Sequence, residues 1–160
     1  MTEQMTLQAA LEREHRDIDG GIEAYTAGLA SGDSDPDPLI RAMNGLRRHI
    51  YLEEEFLFPP LKAAGMVMPI FVMLREHGGL WDRMDALDDA LARAADAGAM
   101  EEACTELLRL LDEHNSKEEP IIYTQADETL DGEAGEELKA FLESGTMPDG
   151  WVCERASGAA

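Results

Sequence analysis

Two short motifs place an imidazole and a carboxylate one helical turn apart: His49-x-x-x-Glu53 and His114-x-x-x-Glu118. Residues four apart share a helix face, so each pair can present a nitrogen and an oxygen to one point. The other two histidines, His15 and His77, also fall on the apolar side of a predicted helix, so each of four helices carries one. A glutamate on an apolar stripe needs a reason, because its charge is rarely buried unless paired or bound to a cation. Imidazole and carboxylate without thiolate make an N/O donor set suited to iron, manganese or zinc. The economical arrangement has two metals, each held by two histidines and both bridged by Glu53 and Glu118. With one solvent-derived oxo or hydroxo bridge each metal would be about five-coordinate, which leaves an open position on each for a small molecule.

These residues need four long helices to hold them. The first is expected over about Thr6 to Ala30, capped by Thr6, with Leu7, Leu11, His15, Ile18, Ile22 and Tyr25 facing inward at spacings of three and four. Gly32 to Pro38 reads as a loop. Asp37 as N-cap and Pro38 at the first helical position open the second helix, whose stripe is Ile40, Met43, His49, Glu53 and Phe56. Pro59-Pro60 kinks or ends it, and Gly65 closes the segment. Pro69 opens a third helix carrying Ile70, Met73, His77, Trp81, Met84, Leu87 and Leu91, which stops near Gly98. The fourth starts around Met100 and presents Leu107, Leu111, His114, Glu118 and Ile121, with a distortion at Pro120. A short helix over about Gly132 to Leu142 follows. No stretch alternates with period two, so the expected fold is all-α: an up-down-up-down four-helix bundle over residues 1–145, with an irregular tail over 146–160 that frays from Ser157.

The order of motifs also repeats. Arg13-Glu14-His15 echoes Arg75-Glu76-His77, and His49 to Glu54 echoes His114 to Glu119, with a proline after each. Two like hairpins packed antiparallel would set their ligands around a pseudo-twofold axis.

Composition narrows the function further. The chain has 160 residues, 13 basic against 34 acidic, and a net charge of −21. Nucleic-acid binding needs a basic surface and is excluded, and an anionic membrane surface is equally disfavoured. Most of the acids are expected to be solvated helix surface. Cys104 and Cys153 are too few for a disulfide framework and have no Cys-x-x-Cys spacing, which suits a reduced, cytoplasmic setting. Met1 to Gln8 has no basic flank or apolar run of the signal-peptide kind, and no segment is apolar enough to span a membrane. The sequence has no nucleophile–base–orienter triad, P-loop or Rossmann fingerprint.

The order His, His-x-x-x-Glu, His, His-x-x-x-Glu resembles the hemerythrin-like (HHE cation-binding) family, over about Leu7 to Gln125. The resemblance implies a four-helix bundle around a non-haem di-iron centre, with His15, His49, His77 and His114 as terminal ligands and Glu53 and Glu118 as bridging carboxylates. The oxygen-carrying members have a second histidine four residues after the third-helix one, where this chain has Trp81. They end on His-x-x-x-x-Asp, where this chain has Glu118 at four and Glu119 at five. The 2+2 histidine set is instead similar to the hemerythrin-like domains of iron-sulfur-cluster repair and iron-sensing proteins. The repair proteins carry an added cysteine-bearing N-terminal domain, for which these residues have no counterpart.

Other residues are candidates for supporting roles. Trp81 is expected to fill the space of the absent fifth histidine, as a core aromatic or a pocket wall. Tyr123, five residues past Glu118, is a candidate to hydrogen-bond a bound ligand or carboxylate; Tyr25 and Tyr51 are weaker ones. Metal-bound histidines pass their second nitrogen to a carboxylate, for which Asp19, Glu14 and Glu76 are available. Gly45 and Gly78 flank His49 and His77 and suggest close helix packing or room for a ligand. Cys104 reads as core, and Trp151 and Val152 as a buried anchor for the tail. The function expected is binding or sensing of O2, NO, peroxide or iron at a 4-His/2-Glu di-iron centre. The alternatives are an enzyme-like centre turning over NO or peroxide or donating iron to damaged clusters, and a structural Zn or Mn bundle.

Overall fold

The computed structural model describes residues 5–158, and every regular element among them is helical. The long helices are α1 (Leu7–Ala30), α2 (Asp37–Leu52), α4 (Val67–Ala92) and α5 (Ala97–Ile121). A π-helical turn (Glu53–Leu57) joins α2 to the short α3 (Phe58–Ala63). A 3-10 turn (Tyr123–Gln125), α6 (Ala126–Thr129) and α7 (Glu133–Ser144) follow α5. The four long helices form a bundle in which α1 packs on α2 and α5, and α4 packs on α5 and more lightly on α2.

Local chemistry explains most of the ends. Thr6 caps α1 as expected, its side chain accepting from the Ala9 N–H at 3.1 Å. Asp127 reaches back to take the N–H groups of Leu7 (2.8 Å) and Gln8 (3.1 Å), which ties α6 to the start of the bundle. The second helix begins one residue earlier than expected, with Pro36 as cap and Pro38 inside the first turn. The third begins at Val67, ahead of Pro69, and ends at Ala92 rather than near Gly98. Ala94 takes the left-handed conformation there (φ 53°), a role that glycine usually fills and that an alanine does not announce. Asp96 then caps α5 by accepting from Ala99 N–H at 2.8 Å, so that helix starts before Met100.

Pro59-Pro60 does not end the second segment but reshapes it. Proline has no N–H, so the carbonyls of Glu55 and Phe56 lose their α-helical partners. The chain widens to a π turn, where the Phe58 N–H donates to the Glu53 carbonyl. The extra residue in that turn moves the stripe. Leu57 and Phe58 are buried, and Phe56, expected inside, is half-buried at the rim. Two further expected core positions are exposed: Ile40, whose place Leu39 takes, and Ile121, whose place Ile122 takes beyond Pro120.

The buried side chains form two apolar clusters with a polar layer between them. One includes Ile18, Ile50, Leu80 and Leu111; the other includes Leu11, Leu52, Met73 and Ile122. Along α1 the order is Leu11, His15, Ile18, and along α4 it is Met73, His77, Leu80. α2 and α5 meet the clusters in the opposite order. All four histidines therefore fall at one level of the bundle.

The segment after α7 has no regular structure, yet it packs on the core. Cys153 and Ala156 are buried in the first cluster, and Trp151 meets Trp81 edge-on at 5.6 Å. Val152, expected to be part of the anchor, is exposed. Ser157, expected to fray, is held by Asp82, which accepts from its N–H (2.9 Å) and its hydroxyl (2.6 Å). Ala159 and Ala160, in the same expected frayed end, lie outside the described residues, as do Met1 to Gln4 of the segment read for a signal peptide.

Candidate metal centre

The six residues singled out by spacing come together in the polar layer. His15 comes from α1, His49 from α2, Glu53 from the first position of the π turn, His77 from α4, and His114 and Glu118 from α5. All are buried, with Glu53, His77 and Glu118 at 0% exposure. They form two overlapping groups, His15/His49/Glu53/Glu118 and Glu53/His77/His114/Glu118, in each of which the donor atoms lie within 4.8 Å of one another. The two glutamates are shared by both.

Every histidine turns Nε2 inward. His15 Nε2 is 3.1 Å from Glu118 Oε1 and His114 Nε2 is 3.4 Å from Glu118 Oε2. His77 Nε2 is 3.0 Å and His49 Nε2 3.5 Å from the Glu53 carboxylate. The Tyr123 hydroxyl enters the first group. It donates to Glu53 Oε2 at 2.6 Å and lies 2.8 Å from Nε2 of both His15 and His49.

Every histidine also gives its outer nitrogen to a carboxylate. Nδ1–H of His15 donates to Glu119 (2.8 Å), of His49 to Glu14 (2.7 Å), of His77 to Glu54 (2.8 Å) and of His114 to Glu76 (2.9 Å). A carboxylate can only accept, so these contacts place a proton on Nδ1 and leave Nε2 to bind whatever lies in the centre. The donors run in a closed ring, since each of the four segments supplies a glutamate to the histidine of a neighbour. The ring follows the sequence repeat: Glu14 and Glu76 each precede a histidine, while Glu54 and Glu119 each follow an inner glutamate. Arg48 steadies Glu14 at 3.1 Å, Lys117 pairs with Glu76, and the Glu154 N–H of the tail donates to Glu54 at 3.0 Å.

Charge is balanced within this layer. Burial favours neutral His49 and His114, but Glu53 with Glu14, and Glu118 with Glu76, outweigh it and raise both to about 10. Burial likewise opposes ionisation of Glu53 and Glu118, and the facing histidines override it and hold both below the usual carboxylate range. Burial and the two glutamates push the Tyr123 hydroxyl well up.

The donor set fits metal ions. Both oxygens of Glu118 are buried without a well-aligned hydrogen bond and face only the inward Nε2 atoms of His15 and His114, so the carboxylate depends on those rings being charged or on a cation. A cation between the inward Nε2 atoms and the two glutamates satisfies them, and the outer glutamates already fix the tautomers that coordination needs.

Some supporting expectations change. Glu14 and Glu76 do orient histidines from a neighbouring helix, as expected: Glu14 holds His49 and Glu76 holds His114. Asp19 does not serve His15: Glu119 does, and Asp19 Oδ1 is buried without a partner. Glu54 and Glu119 pass in the sequence as flanking surface charge; their signal was that each sits next to an inner glutamate in both repeats. Tyr123 bonds a carboxylate, as anticipated, and also touches two histidines. Tyr51 packs on Phe56, Phe141 and Trp151, and Tyr25 lies in the first apolar cluster. Trp81 is buried against Trp151 with Arg47 5.5 Å from its ring. Gly78 makes way for the tail, because a Cβ there would lie 2.3 Å from the Arg155 carbonyl oxygen; Gly45 has ordinary space around it. Cys104 and Cys153 are free and buried.

No helix is long and apolar enough to cross a membrane among the described residues. No curated protein and no solved structure matches the chain. The family model described as the hemerythrin HHE cation-binding domain matches residues 6–126. That span contains all four histidines, both inner glutamates, the outer ring and Tyr123, and the chain belongs to the hemerythrin HHE cation-binding family.

Proposed function

We propose that this protein holds two iron ions in the polar layer and binds or senses a small ligand there: O2, NO or peroxide. His15 and His49 would hold one ion and His77 and His114 the other, with Glu53 and Glu118 shared between them. One observation carries this reading. Four Nε2 atoms converge on two buried glutamates, one of them without a well-aligned hydrogen bond, while four outer carboxylates hold every Nδ1–H. Iron bound there supplies an electron-rich, ligand-accepting centre; the chain orients the donors and keeps bulk water out with apolar clusters on both sides. The opposite order in which successive long helices meet those clusters supports an up-down-up-down bundle. Two buried, unpaired thiols suit a reducing cytoplasmic compartment.

The test is metal content per chain on protein purified without oxygen, with absorption spectra before and after air. About two irons and new near-ultraviolet bands in air support the reading. Zinc or manganese with a spectrum indifferent to air would leave a structural bundle. Catalytic loss of peroxide or NO that disappears in Glu53→Ala would make the centre an enzyme.

A further inference from the structure

The Tyr123 oxygen occupies one half of the site and has no counterpart in the other. Tyr123 stands five residues after Glu118, and Phe58 stands five residues after Glu53. The Tyr123 ring lies on His15 at 5.1 Å and 30°, and Phe58 stacks on the equivalent His77 at 5.4 Å and 18°. The two aromatics correspond in repeat and in placement and differ by one oxygen atom. That atom is 2.8 Å from His15 Nε2, 2.8 Å from His49 Nε2 and 2.6 Å from Glu53 Oε2. Donor atoms bound side by side to one ion at about 2.0–2.1 Å lie roughly 2.9 Å apart, so these spacings also suit adjacent corners of one coordination shell. A phenol needed merely to satisfy Glu53 would have no reason to approach both imidazoles.

We propose that Tyr123 is itself a ligand of the ion held by His15, His49, Glu53 and Glu118, so that the two metal positions are chemically inequivalent. The first then has two nitrogens and three oxygens, the second two nitrogens and two oxygens. The open position falls on the His77/His114 side, where Phe58 offers an apolar wall. On binding, the phenol O–H bond is replaced by an O–metal bond and the proton leaves to solvent, with no change of oxidation state. The inference rests on the two-metal reading above.

Protein loaded with Fe(II) without oxygen and then oxidised with ferricyanide should show a visible phenolate-to-iron charge-transfer band. Resonance Raman excitation within it should enhance tyrosine ring modes. The chain has three tyrosines, so a Tyr25→Phe/Tyr51→Phe double variant leaves Tyr123 alone and should keep the band. Tyr123→Phe should bind iron and lose the band. The double variant makes the assignment without touching Tyr123, so a poorly folding Tyr123→Phe does not blunt the test. Iron-loaded protein without the band, or a band that survives in Tyr123→Phe, overturns the ligand and leaves the metal site standing. No iron uptake overturns both.

Discussion

Glu118 and Glu119 are neighbours in the chain, yet they reach opposite nitrogens of the same imidazole, at 3.1 Å from His15 Nε2 and 2.8 Å from its Nδ1. Glu53 and Glu54 hold His77 in the same way, at 3.0 and 2.8 Å. The inner member of each pair faces the proposed metals and the outer one fixes the ring. Glu118→Ala should therefore abolish loading of a full metal pair, whereas Glu119→Gln should keep the site and weaken it by about 10–100-fold in a chelator competition. Equal losses from the two would refute that division. Protonation follows from the same contacts. His49 and His114 sit at about 10 in the metal-free protein, above the ordinary 6.5. Their contribution to stability is complete below about pH 6.5 and fades as pH rises toward 10, while that of Glu53 and Glu118 is present above the ordinary 4.5 and is lost in acid. Metal-free protein should thus melt progressively lower from pH 7 to 10, and loading near pH 8 should release about three protons, one from each of these imidazoliums and one from the Tyr123 phenol if it is a ligand, as read in weak buffer. Release of one proton or none would mean these rings are neutral beforehand. The inner residues were legible because the four-residue spacing puts them on one face. Glu54 and Glu119 were not, because which outer acid meets which histidine depends on the neighbouring helix.

Helix ends and glycines carry the lesson at the next scale. A side chain at Gly78 would collide with the Arg155 carbonyl, whereas a Cβ at Gly79 meets nothing within 4 Å. Gly78→Ala should cost about 1–3 kcal/mol through overpacking. It should also loosen the tail, whose Glu154 N–H steadies Glu54. Gly79→Ala should stabilise by roughly 0.5–1 kcal/mol, as glycine-to-alanine changes do in helix interiors. Urea unfolding of the two variants checks the contrast, and similar stabilities would show that the tail yields freely. Neighbouring glycines look alike in a sequence, because the tail that tells them apart arrives more than seventy residues later. The prolines were clearer: Pro59-Pro60 marked a disruption, although its outcome, a π turn that continues the helix and shifts the stripe to Leu57 and Phe58, depended on the packing of α3.

Across the whole molecule, the proposed ligands come from all four long helices, from the π turn and, with Tyr123, from the 3-10 turn, so bound metal would clamp the bundle. At a metal concentration about 1,000 times Kd the native state gains about 4 kcal/mol. For a chain of this size that should raise Tm by roughly 8–16 °C. Identical melting of stripped and loaded protein would contradict the clamp. Without metal, two buried carboxylates must rely on protonated histidines within a molecule already carrying a net charge of −21. The all-helical class, the four long elements and the six inward histidines and glutamates that come together were legible in the sequence alone, because apolar periodicity and i, i+4 spacing are properties of a single helix. The outer carboxylate ring, the entry of Tyr123 on one side of the site and the seat of Cys153 and Trp151 on the bundle were decided by the tertiary structure, because each is a contact between segments far apart in the chain whose spacing no local pattern records.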